Sequence, residues 1–342
     1  MQIVEIDGSY LEGGGQILRT AVGLSALTGK PCRIYNIRKG RKEPGLRAQH
    51  LKGVQAVAGL CDAKVKGLSI SSTDVEFYPR PDHIGVHRPL AIDVGTAGSI
   101  TLVLQTLVIP LALSKEKISL EITGGTHVKW SPSIEYFEYV FSNCLRRMGL
   151  KIEVETLAYG FYPKGGGKVR VTIDPEGLKG LDLSKRGEFL ETRCVSVASL
   201  GLKSRRVAER QIEGAKKILP ITNESASYAR SFSAGTGFHI ESRYTNSVLG
   251  SGALGELGKP AEAVGKEASS PLKSLMDSPA TVDDHMVDQI LPFMALADSP
   301  SLVIAAALTN HARTNIWVIE KFLPARFNVK EMPDHVLISC TP

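Results

Sequence analysis

The stretch SLVIAAALTNHARTNIWVIEKFL, residues 301–323, joins two sequence patterns that together organise the chain. Residues 301–308 form a short apolar run, which predicts a buried strand. From Thr314 the pattern becomes helical, with Thr314 as the predicted N-cap and Ile316 and Ile319 on one face. His311 is therefore predicted to lie in a short loop between the strand and the helix.

The neighbours of His311 are suited to an anion. Arg313 is close in sequence, and a helix N-terminus offers free N–H groups and a partial positive charge, so phosphate would fit there. An isolated loop histidine more often has only a structural role. The functional interpretation of His311 therefore depends on the rest of the chain.

Length and composition restrict the class of protein. The 342 residues can bury a full core and form two domains, or one large domain with an insertion. No apolar run is long enough to span a bilayer, and the N-terminus lacks the pattern of a signal peptide. Five scattered cysteines without CxxC spacing predict a cytoplasmic protein without structural zinc.

The charge and aromatic content bear on possible partners. A net charge of +6 is compatible with a polyanionic substrate, although many proteins that bind no polyanion share it. Aromatic residues make up 6% of the chain, which argues against an extended base-stacking platform for single strands.

The order helix, strand, polar loop, helix, strand pair occurs three times, which predicts an internal repeat of roughly 80 residues. The equivalent loops are residues 38–45, 123–132 and 309–314. If the units pack about a pseudo-threefold axis, these loops would face one cleft. That cleft would collect Arg38, Arg41, His127, Lys129, His311 and Arg313.

Each unit would bury one face of a sheet under two helices, so the predicted fold class is α+β. The third unit is interrupted by a segment of different character, residues 180–278, which we interpret as an inserted small α/β domain. Residues 1–179 and 279–342 would form the large domain. Within the insertion, three glycines in Ser247–Glu256 predict a turn-rich or irregular connection.

Three further motifs carry groups suited to phosphate chemistry. EGGGQILR (12–19) places a carboxylate beside a glycine loop, which suits either a Mg²⁺ or Mn²⁺ ligand or a capping residue before a tight turn. IRKGRKEPGLRAQH (37–50) is a shaped basic loop that favours anion binding over a merely solvated one. VDDHMVDQ (282–289) places Asp284 and Asp288 on one helix face, which allows a metal-binding or general-base role, although an exposed acidic helix start is the commoner explanation.

Six ordered motifs resemble those of the RNA 3′-terminal phosphate cyclase family. They are EGGGQILR, IRKGRKEPGLRAQH, AGSITLVLQT, GFYPKGGG, DQILPFMAL and HARTNIWVIEKFLP, and they span nearly the whole chain. The resemblance implies three repeats of a two-helix, four-stranded unit with an inserted small domain. It also implies an ATP-dependent enzyme that converts an RNA 3′-phosphate into a 2′,3′-cyclic phosphodiester.

The resemblance further implies roles for individual residues. His311 would be the nucleophile that forms a covalent histidyl-AMP, and Glu12 would bind Mg²⁺ or Mn²⁺. Nucleotide and phosphate contacts would come from Arg19, Arg38, Arg41, Gln49, His50, Gln105, Pro132, His285, Asp288 and Gln289. Expected partners are ATP and RNA with a 3′-phosphate end, without a membrane, and a homo-oligomeric state stays open.

Two other functions compete with this interpretation. One branch of the family acts in ribosome assembly without cyclase activity and lacks the nucleophilic histidine, so His311 argues against that branch. Enolpyruvyl transferases use similar repeated units, but they have two lobes of three units and a longer chain. The sequence therefore favours the cyclase.

Overall fold

The computed structural model describes residues 2–80 and 90–342, which contain four small sheets and the helices that pack on them. The strands are β1 (Val4–Asp7), β2 (Cys32–Tyr35), β3 (Lys64–Lys66), β4 (Val75–Tyr78), β5 (Leu90–Asp93), β6 (Ile118–Gly124), β7 (Leu150–Ala158), β8 (Gly167–Pro175), β9 (Asp182–Leu183), β10 (Phe189–Ser199), β11 (Asn223–Ala229), β12 (Thr236–Tyr244), β13 (Val248–Leu254), β14 (Ser301–Ala305), β15 (Arg326–Glu331) and β16 (Val336–Thr341). The helices are α1 (Gly15–Thr28), α2 (Ala48–Leu60), α3 (Ile100–Leu111), α4 (Ile134–Tyr136), α5 (Ser142–Arg147), α6 (Val207–Lys216), α7 (Ala261–Asp277), α8 (Asp284–Leu296) and α9 (Asn310–Phe322). No helix in this described part of the chain has both the length and the apolar character of a bilayer span.

Three of the four sheets share one connectivity. Their strand orders are β1-β2-β4-β3, β5-β6-β8-β7 and β9-β14-β16-β15. In each, the first strand is parallel to the second, and the other two pairings are antiparallel. The fourth sheet, β11-β10-β12-β13, differs because its parallel edge strand β11 comes after its neighbour β10 in the chain rather than before it. The predicted α+β class is confirmed.

The buried apolar side chains form two clusters. The larger joins the first three sheets to α1, α2, α3, α8 and α9, and it includes Ile34, Leu104 and Ile319. The smaller lies between the fourth sheet and helices α6 and α7, and it includes Ile240 and Leu272. Each fully buried side chain of this size contributes about 1.5–3 kcal/mol to stability, so both clusters are substantial.

The predicted boundary between strand and helix around His311 was wrong. The strand β14 ends at Ala305 rather than at residue 308, and α9 begins at Asn310. Thr309 is the N-cap, because its hydroxyl accepts a hydrogen bond from the Ala312 N–H at 3.1 Å. Thr314 lies inside the helix, where its hydroxyl donates to the carbonyl oxygen of Asn310 at 2.6 Å. His311 is therefore in the first helical turn rather than in a loop.

The prediction of an irregular connection at Ser247–Glu256 was also wrong, because this segment contains strand β13. Its glycines serve close packing rather than turns. A Cβ atom on Gly250 would lie 2.6 Å from the side chain of Val140, and one on Gly252 would lie 3.0 Å from the carbonyl oxygen of Phe238. Glycine in a strand can mark a bulge or a close approach, and only the structure distinguishes the two.

Candidate active site

The first turns of α1 and α9 meet at one point of the molecule. Gln16 lies in the first turn of α1 and His311 in that of α9, and Nδ1 of His311 is 2.7 Å from Oε1 of Gln16. Gly14 is the N-cap of α1, and no described side chain caps its free N–H groups. Two helix N-termini therefore direct partial positive charge towards one place, which suits an anionic ligand.

Asp288 of α8 sets the orientation of the Gln16 amide. The Nε2 group of Gln16 donates to Oδ2 of Asp288 at 2.7 Å. In the structure the amide nitrogen of Gln16 faces Asp288 and its amide oxygen faces His311. Nδ1 of His311 then carries the hydrogen, and the lone pair of the neutral imidazole is on Nε2.

Glu12 and Arg41 lie on the Nε2 side of His311. Oε1 of Glu12 is 3.5 Å from Nε2 of His311 and forms an ion pair with the Arg41 guanidinium. The glycine loop passes beside all three groups, because a Cβ atom on Gly14 would lie 3.4 Å from Nη2 of Arg41 and 3.8 Å from Cε1 of His311. The nucleophilic candidate atom therefore faces a carboxylate, a guanidinium and a backbone loop.

Burial lowers the pKa of His311, and the nearby Arg19 and Arg41 guanidiniums add to this effect. The Glu12 carboxylate opposes it by favouring the imidazolium. The net lowering keeps the ring neutral at physiological pH. At 45% exposure the side chain is also accessible to a ligand.

A small cleft that is open to solvent is lined in part by Gln16. Four of the predicted nucleotide-binding residues line it, namely Arg19, Gln105, Asp288 and Gln289. Nε2 of Gln105 donates to Oε1 of Gln289 at 2.7 Å, and burial lowers the pKa of Arg19 to about 10. The cleft thus combines a cation with amide groups, which is a suitable lining for a nucleotide.

Burial raises the pKa of Asp288 to about 7, against the opposing effects of His285 and Arg19. An unfolded aspartate has a pKa near 3.9, so the folded protein binds more protons between these two values. The Asp288 carboxyl therefore lowers the free energy of unfolding as pH rises from about 4 to about 7.

Asp288→Asn is expected to lose this pH dependence, because asparagine does not ionise. Between pH 5 and pH 8, the free energy of unfolding of the parent protein should fall by on the order of 2 kcal/mol more than that of the variant, with partial exposure of the side chain taken into account. Urea unfolding at both pH values measures this difference. Parallel pH dependences in the two proteins would contradict it.

Three predicted phosphate contacts lie near the start of α2. The Arg38 guanidinium donates to the carbonyl oxygens of Glu43 and Gly45 at 2.7 and 2.9 Å, so it shapes its own loop. Gln49 accepts from the Ser99 N–H at 3.0 Å. His50 has a pKa of about 3, lowered by burial and then by the arginines around it, so it is neutral.

Glycine is required at position 15 because His50 packs against the start of α1. A Cβ atom on Gly15 would lie 2.2 Å from Nε2 of His50. Nδ1 of His50 accepts from the Arg47 N–H at 3.1 Å. The Gly-rich loop and the basic loop are thereby held together at the N-terminus of α1.

The structure does not bring together all the residues of the three predicted loops. His127 is buried, with Nε2 at 2.8 Å from the Glu135 carboxylate. Lys129 pairs with Glu256 at 3.0 Å, and Arg313 pairs with Glu331 at 2.7 Å. Six residues were predicted to share a cleft. In the part of the chain that the structure describes, only Arg41 and His311 of these six lie beside the Glu12 carboxylate.

Pro132 and His285 are not among the described residues that line the cleft. The Pro132 carbonyl accepts from the Thr101 hydroxyl at 2.8 Å. The exposed His285 ring meets the Tyr136 ring edge-on, with centroids 6.2 Å apart. The role of both residues as nucleotide contacts stays a prediction.

Glu12 is the residue that the sequence predicts to hold a divalent cation. Within residues 2–80 and 90–342 no cluster of three His, Cys, Asp or Glu could hold a metal by protein groups alone. Magnesium is commonly bound by one or two carboxylates together with substrate phosphates, which a lone Glu12 could provide. In the structure the Glu12 carboxylate forms an ion pair with Arg41 and lies 3.5 Å from Nε2 of His311.

Gln16, Thr20 and Asn315 were missed as site residues by the sequence analysis. The Thr20 hydroxyl donates to Oδ1 of Asn315 at 2.6 Å, and Nδ2 of Asn315 donates to the Asp288 carbonyl at 2.6 Å. All three are buried polar residues on otherwise apolar helix faces. Buried polar residues at core positions could have been the signal in the sequence.

Comparison with known proteins agrees with the family resemblance of the six sequence motifs. The family model described as RNA 3′-terminal phosphate cyclase matches residues 10–329. The RNA 3′-terminal phosphate cyclase of Methanopyrus kandleri is 44% identical, covering 96% of each chain. That of Archaeoglobus fulgidus is 42% identical, covering 94% of this chain and 96% of the relative.

One solved structure, the enolpyruvyl transferase NikO from Streptomyces tendae, matches with a TM-score of 0.39 and 11% identity, over 99% of this chain and 48% of that one. This likeness is too low to carry an argument. Family and sequence identity over nearly the whole length give the assignment. The chain belongs to the RNA 3′-terminal phosphate cyclase family.

Proposed function

We propose that this protein uses ATP to convert an RNA 3′-terminal phosphate into a 2′,3′-cyclic phosphodiester, with His311 as the nucleophile. The observation that carries this proposal is the environment of His311. Its imidazole is neutral, Nδ1 is bound by Gln16, and Nε2 faces Glu12 and Arg41 near two helix N-termini. A positioned lone pair and a cationic surrounding are what nucleophilic attack on a phosphate ester requires.

The proposed reaction has three steps. The Nε2 lone pair of His311 forms a bond to the α-phosphorus of ATP, and the bond to the leaving pyrophosphate breaks. An oxygen of the RNA 3′-phosphate then takes the adenylyl group from His311, which forms an anhydride. Finally the 2′-hydroxyl attacks the 3′-phosphorus, closes the cyclic diester and expels AMP, with loss of the hydroxyl proton.

Gln16 would stabilise the first step. As Nε2 bonds to phosphorus, the imidazole gains positive charge and its Nδ1–H becomes a stronger donor. The Gln16 oxygen already accepts this hydrogen bond at 2.7 Å, so the bond strengthens as charge develops. The amide therefore stabilises the transition state more than the ground state.

The groups around the cleft would bind the nucleotide. Arg19 and Arg41 would neutralise phosphate charge, and Gln105 and Gln289 would offer amide hydrogen bonds. Glu12 would hold Mg²⁺ or Mn²⁺, which would supply charge neutralisation for the pyrophosphate. Arg38, Gln49 and His50 would act beside them, at the junction of the basic loop and α1.

A non-catalytic RNA-binding role in ribosome assembly is not favoured. The structure places His311 in a hydrogen-bonded network with Gln16 and Asp288 rather than in a solvated position. A protein that only binds RNA would not need a defined tautomer at this position. The relatives at 40–44% identity are likewise named as cyclases.

We also propose that the three sheets of equal connectivity are repeats about a pseudo-threefold axis. The equal parallel and antiparallel pairings of these sheets support this. Residues 180–278 would form an inserted domain, supported by the separate apolar cluster between the fourth sheet, α6 and α7. Residues 1–179 and 279–342 would form the large domain.

The proposed function is tested with an oligonucleotide that ends in a 3′-phosphate. With ATP and Mg²⁺ or Mn²⁺, the end is expected to become resistant to phosphatase, with one AMP and one pyrophosphate formed for each end. The same oligonucleotide with a 3′-hydroxyl serves as the control and should not react. An end that stays sensitive to phosphatase with every metal tried would refute the proposed function.

A further inference from the structure

We propose that an exposed surface, linked to the candidate active site by a chain of residue contacts, binds the single-stranded RNA chain that precedes the reacting 3′ end. We call it the aromatic–basic surface and define it by Trp130, Tyr162, Lys164, Arg230 and Phe232. The proposal rests on the proposed function, because it names where the rest of that substrate would lie.

The aromatic–basic surface carries three large rings in contact with solvent. Trp130 is 95% exposed, Tyr162 is 76% exposed and Phe232 is 72% exposed. Large aromatic side chains at such exposure contribute little to a core, since burial is what makes them stabilising. Three of them in neighbouring loops therefore indicate a surface that binds something.

Hydrogen bonds and close packing hold these loops together. The Lys164 N–H donates to the Ser233 hydroxyl at 3.1 Å, and a Cβ atom on Gly166 would lie 2.3 Å from the Phe232 ring. Trp130 follows Lys129, whose side chain pairs with Glu256 at 3.0 Å. The residue before Glu256, Gly255, donates its N–H to the carbonyl oxygen of Thr236, close in sequence to Phe232. These contacts link the loops that carry the three rings.

The charge of this region suits a polyanion. Five segments that meet here contain no Asp or Glu, namely residues 95–106, 123–134, 158–168, 199–208 and 229–240. They carry exposed cations that include Lys164 and Arg230. An acid at this surface, Glu256, is paired with Lys129 at 3.0 Å, and Lys164 and Arg230 add positive charge that suits the phosphates of a nucleic acid.

A continuous path of contacts leads from the aromatic–basic surface to His311. Gly165 packs on Ala97, because a Cβ atom there would lie 2.8 Å from the Ala97 Cα. The Ser99 N–H donates to the Gln49 side chain at 3.0 Å. His50, next to Gln49, packs on Gly15, and the following residue Gln16 contacts His311.

Single-stranded RNA is the occupant that fits both observations. Its unstacked bases stack on aromatic rings without regard to sequence, and its phosphates pair with lysine and arginine. Three rings would accommodate a short stretch of nucleotides, in agreement with the low aromatic content of the whole chain. The reacting phosphate and 2′-hydroxyl would lie beyond these nucleotides, at His311.

The test compares two 3′-phosphate substrates, a dinucleotide and a 20-mer with the same terminal sequence. The variant carries Trp130→Ala, Tyr162→Ala and Phe232→Ala together. Its KM for cyclisation of the 20-mer should rise about fivefold or more for each stacked base that is lost, while its KM for the dinucleotide stays unchanged. Formation of histidyl-AMP without RNA should also be unchanged.

The control variant is Phe189→Ala. Phe189 is 50% exposed and begins β10. At the other end of β10, the Ser199 N–H donates to the Gly235 carbonyl, near the aromatic–basic surface. The strand separates the two ends by about 30 Å. The control should leave both KM values unchanged.

Binding of the same 20-mer by fluorescence anisotropy separates this proposal from the proposed function. Lys164→Ala with Arg230→Ala should weaken binding and reduce the slope of log Kd against log salt concentration. A protein that binds RNA through these residues but cyclises nothing would refute the function and keep the surface. A triple variant that binds and cyclises the 20-mer as the parent does, or one that loses histidyl-AMP formation, would overturn the surface.

Discussion

Replacing His311 by alanine is expected to abolish transfer of the adenylyl group from ATP to the protein. The alanine variant has no lone pair at the position of Nε2, the atom that faces Glu12 and Arg41. The rate of label transfer from [α-³²P]ATP should fall by at least about a thousandfold. A denaturing gel measures the label, which in the parent protein should be labile to acid and stable to alkali.

His335→Ala is the matched control for this prediction. It also removes a histidine that contacts a carboxylate, with Nδ1 at 2.7 Å from Asp334, but it lies between β15 and β16. This variant should be labelled at the parental rate. Equal labelling of His311→Ala would show that the nucleophile is elsewhere, and absence of label in the parent with several metals would count against the enzyme.

Replacing Gln16 by leucine is expected to slow formation of histidyl-AMP by about a hundredfold or more. Leucine fills a similar volume but offers no acceptor to Nδ1, so the imidazole can place its hydrogen on Nε2 and lose the reactive lone pair. A wrong tautomer of a catalytic histidine is known to be costly, reaching about 10⁴ in the serine protease triad. Single-turnover labelling at saturating ATP measures the effect.

The dependence on pH separates positioning from a structural role of Gln16. Gln16→Glu still provides an acceptor for Nδ1–H, but it places a second carboxylate beside Asp288, whose pKa is already about 7. Two neighbouring carboxylates ionise together poorly, so this variant should regain activity as the pH is lowered. Gln16→Leu should show no such recovery.

Ser25→Ala is the control for Gln16, since it also removes a side-chain hydrogen bond from α1. The Ser25 hydroxyl donates to the Lys30 carbonyl at 2.6 Å and has no contact with the site. Its labelling rate should equal that of the parent. A loss of labelling in Ser25→Ala as large as that in Gln16→Leu would mean that the helix, rather than the amide, is what matters.

The sequence determined the pattern of elements and the identity of the reactive groups. Apolar periodicity gave the α+β class and most helices and strands, because each element buries one face and the period of its apolar residues follows from that. Glycines and guanidiniums near His311 indicated phosphate chemistry, because backbone access and forked cations are needed to bind phosphate.

Helix ends and close backbone approaches were beyond the sequence. The threonines at 309 and 314 are both good N-caps by type, and only the hydrogen bond from Ala312 to Thr309 decides between them. The glycines at 250 and 252 are in a strand because of the neighbours they contact, and no local pattern distinguishes this from a turn.

Only the tertiary structure decided which polar residues act together. His127 carried the same signals as Arg41 and His311, yet burial against Glu135 removes it from the site. Gln16 and Asp288 are 272 positions apart, and their hydrogen bond exists because α1 and α8 pack near α9. Sequence supplies the chemical groups, whereas the tautomer of His311 depends on distances that arise only when the three helices pack.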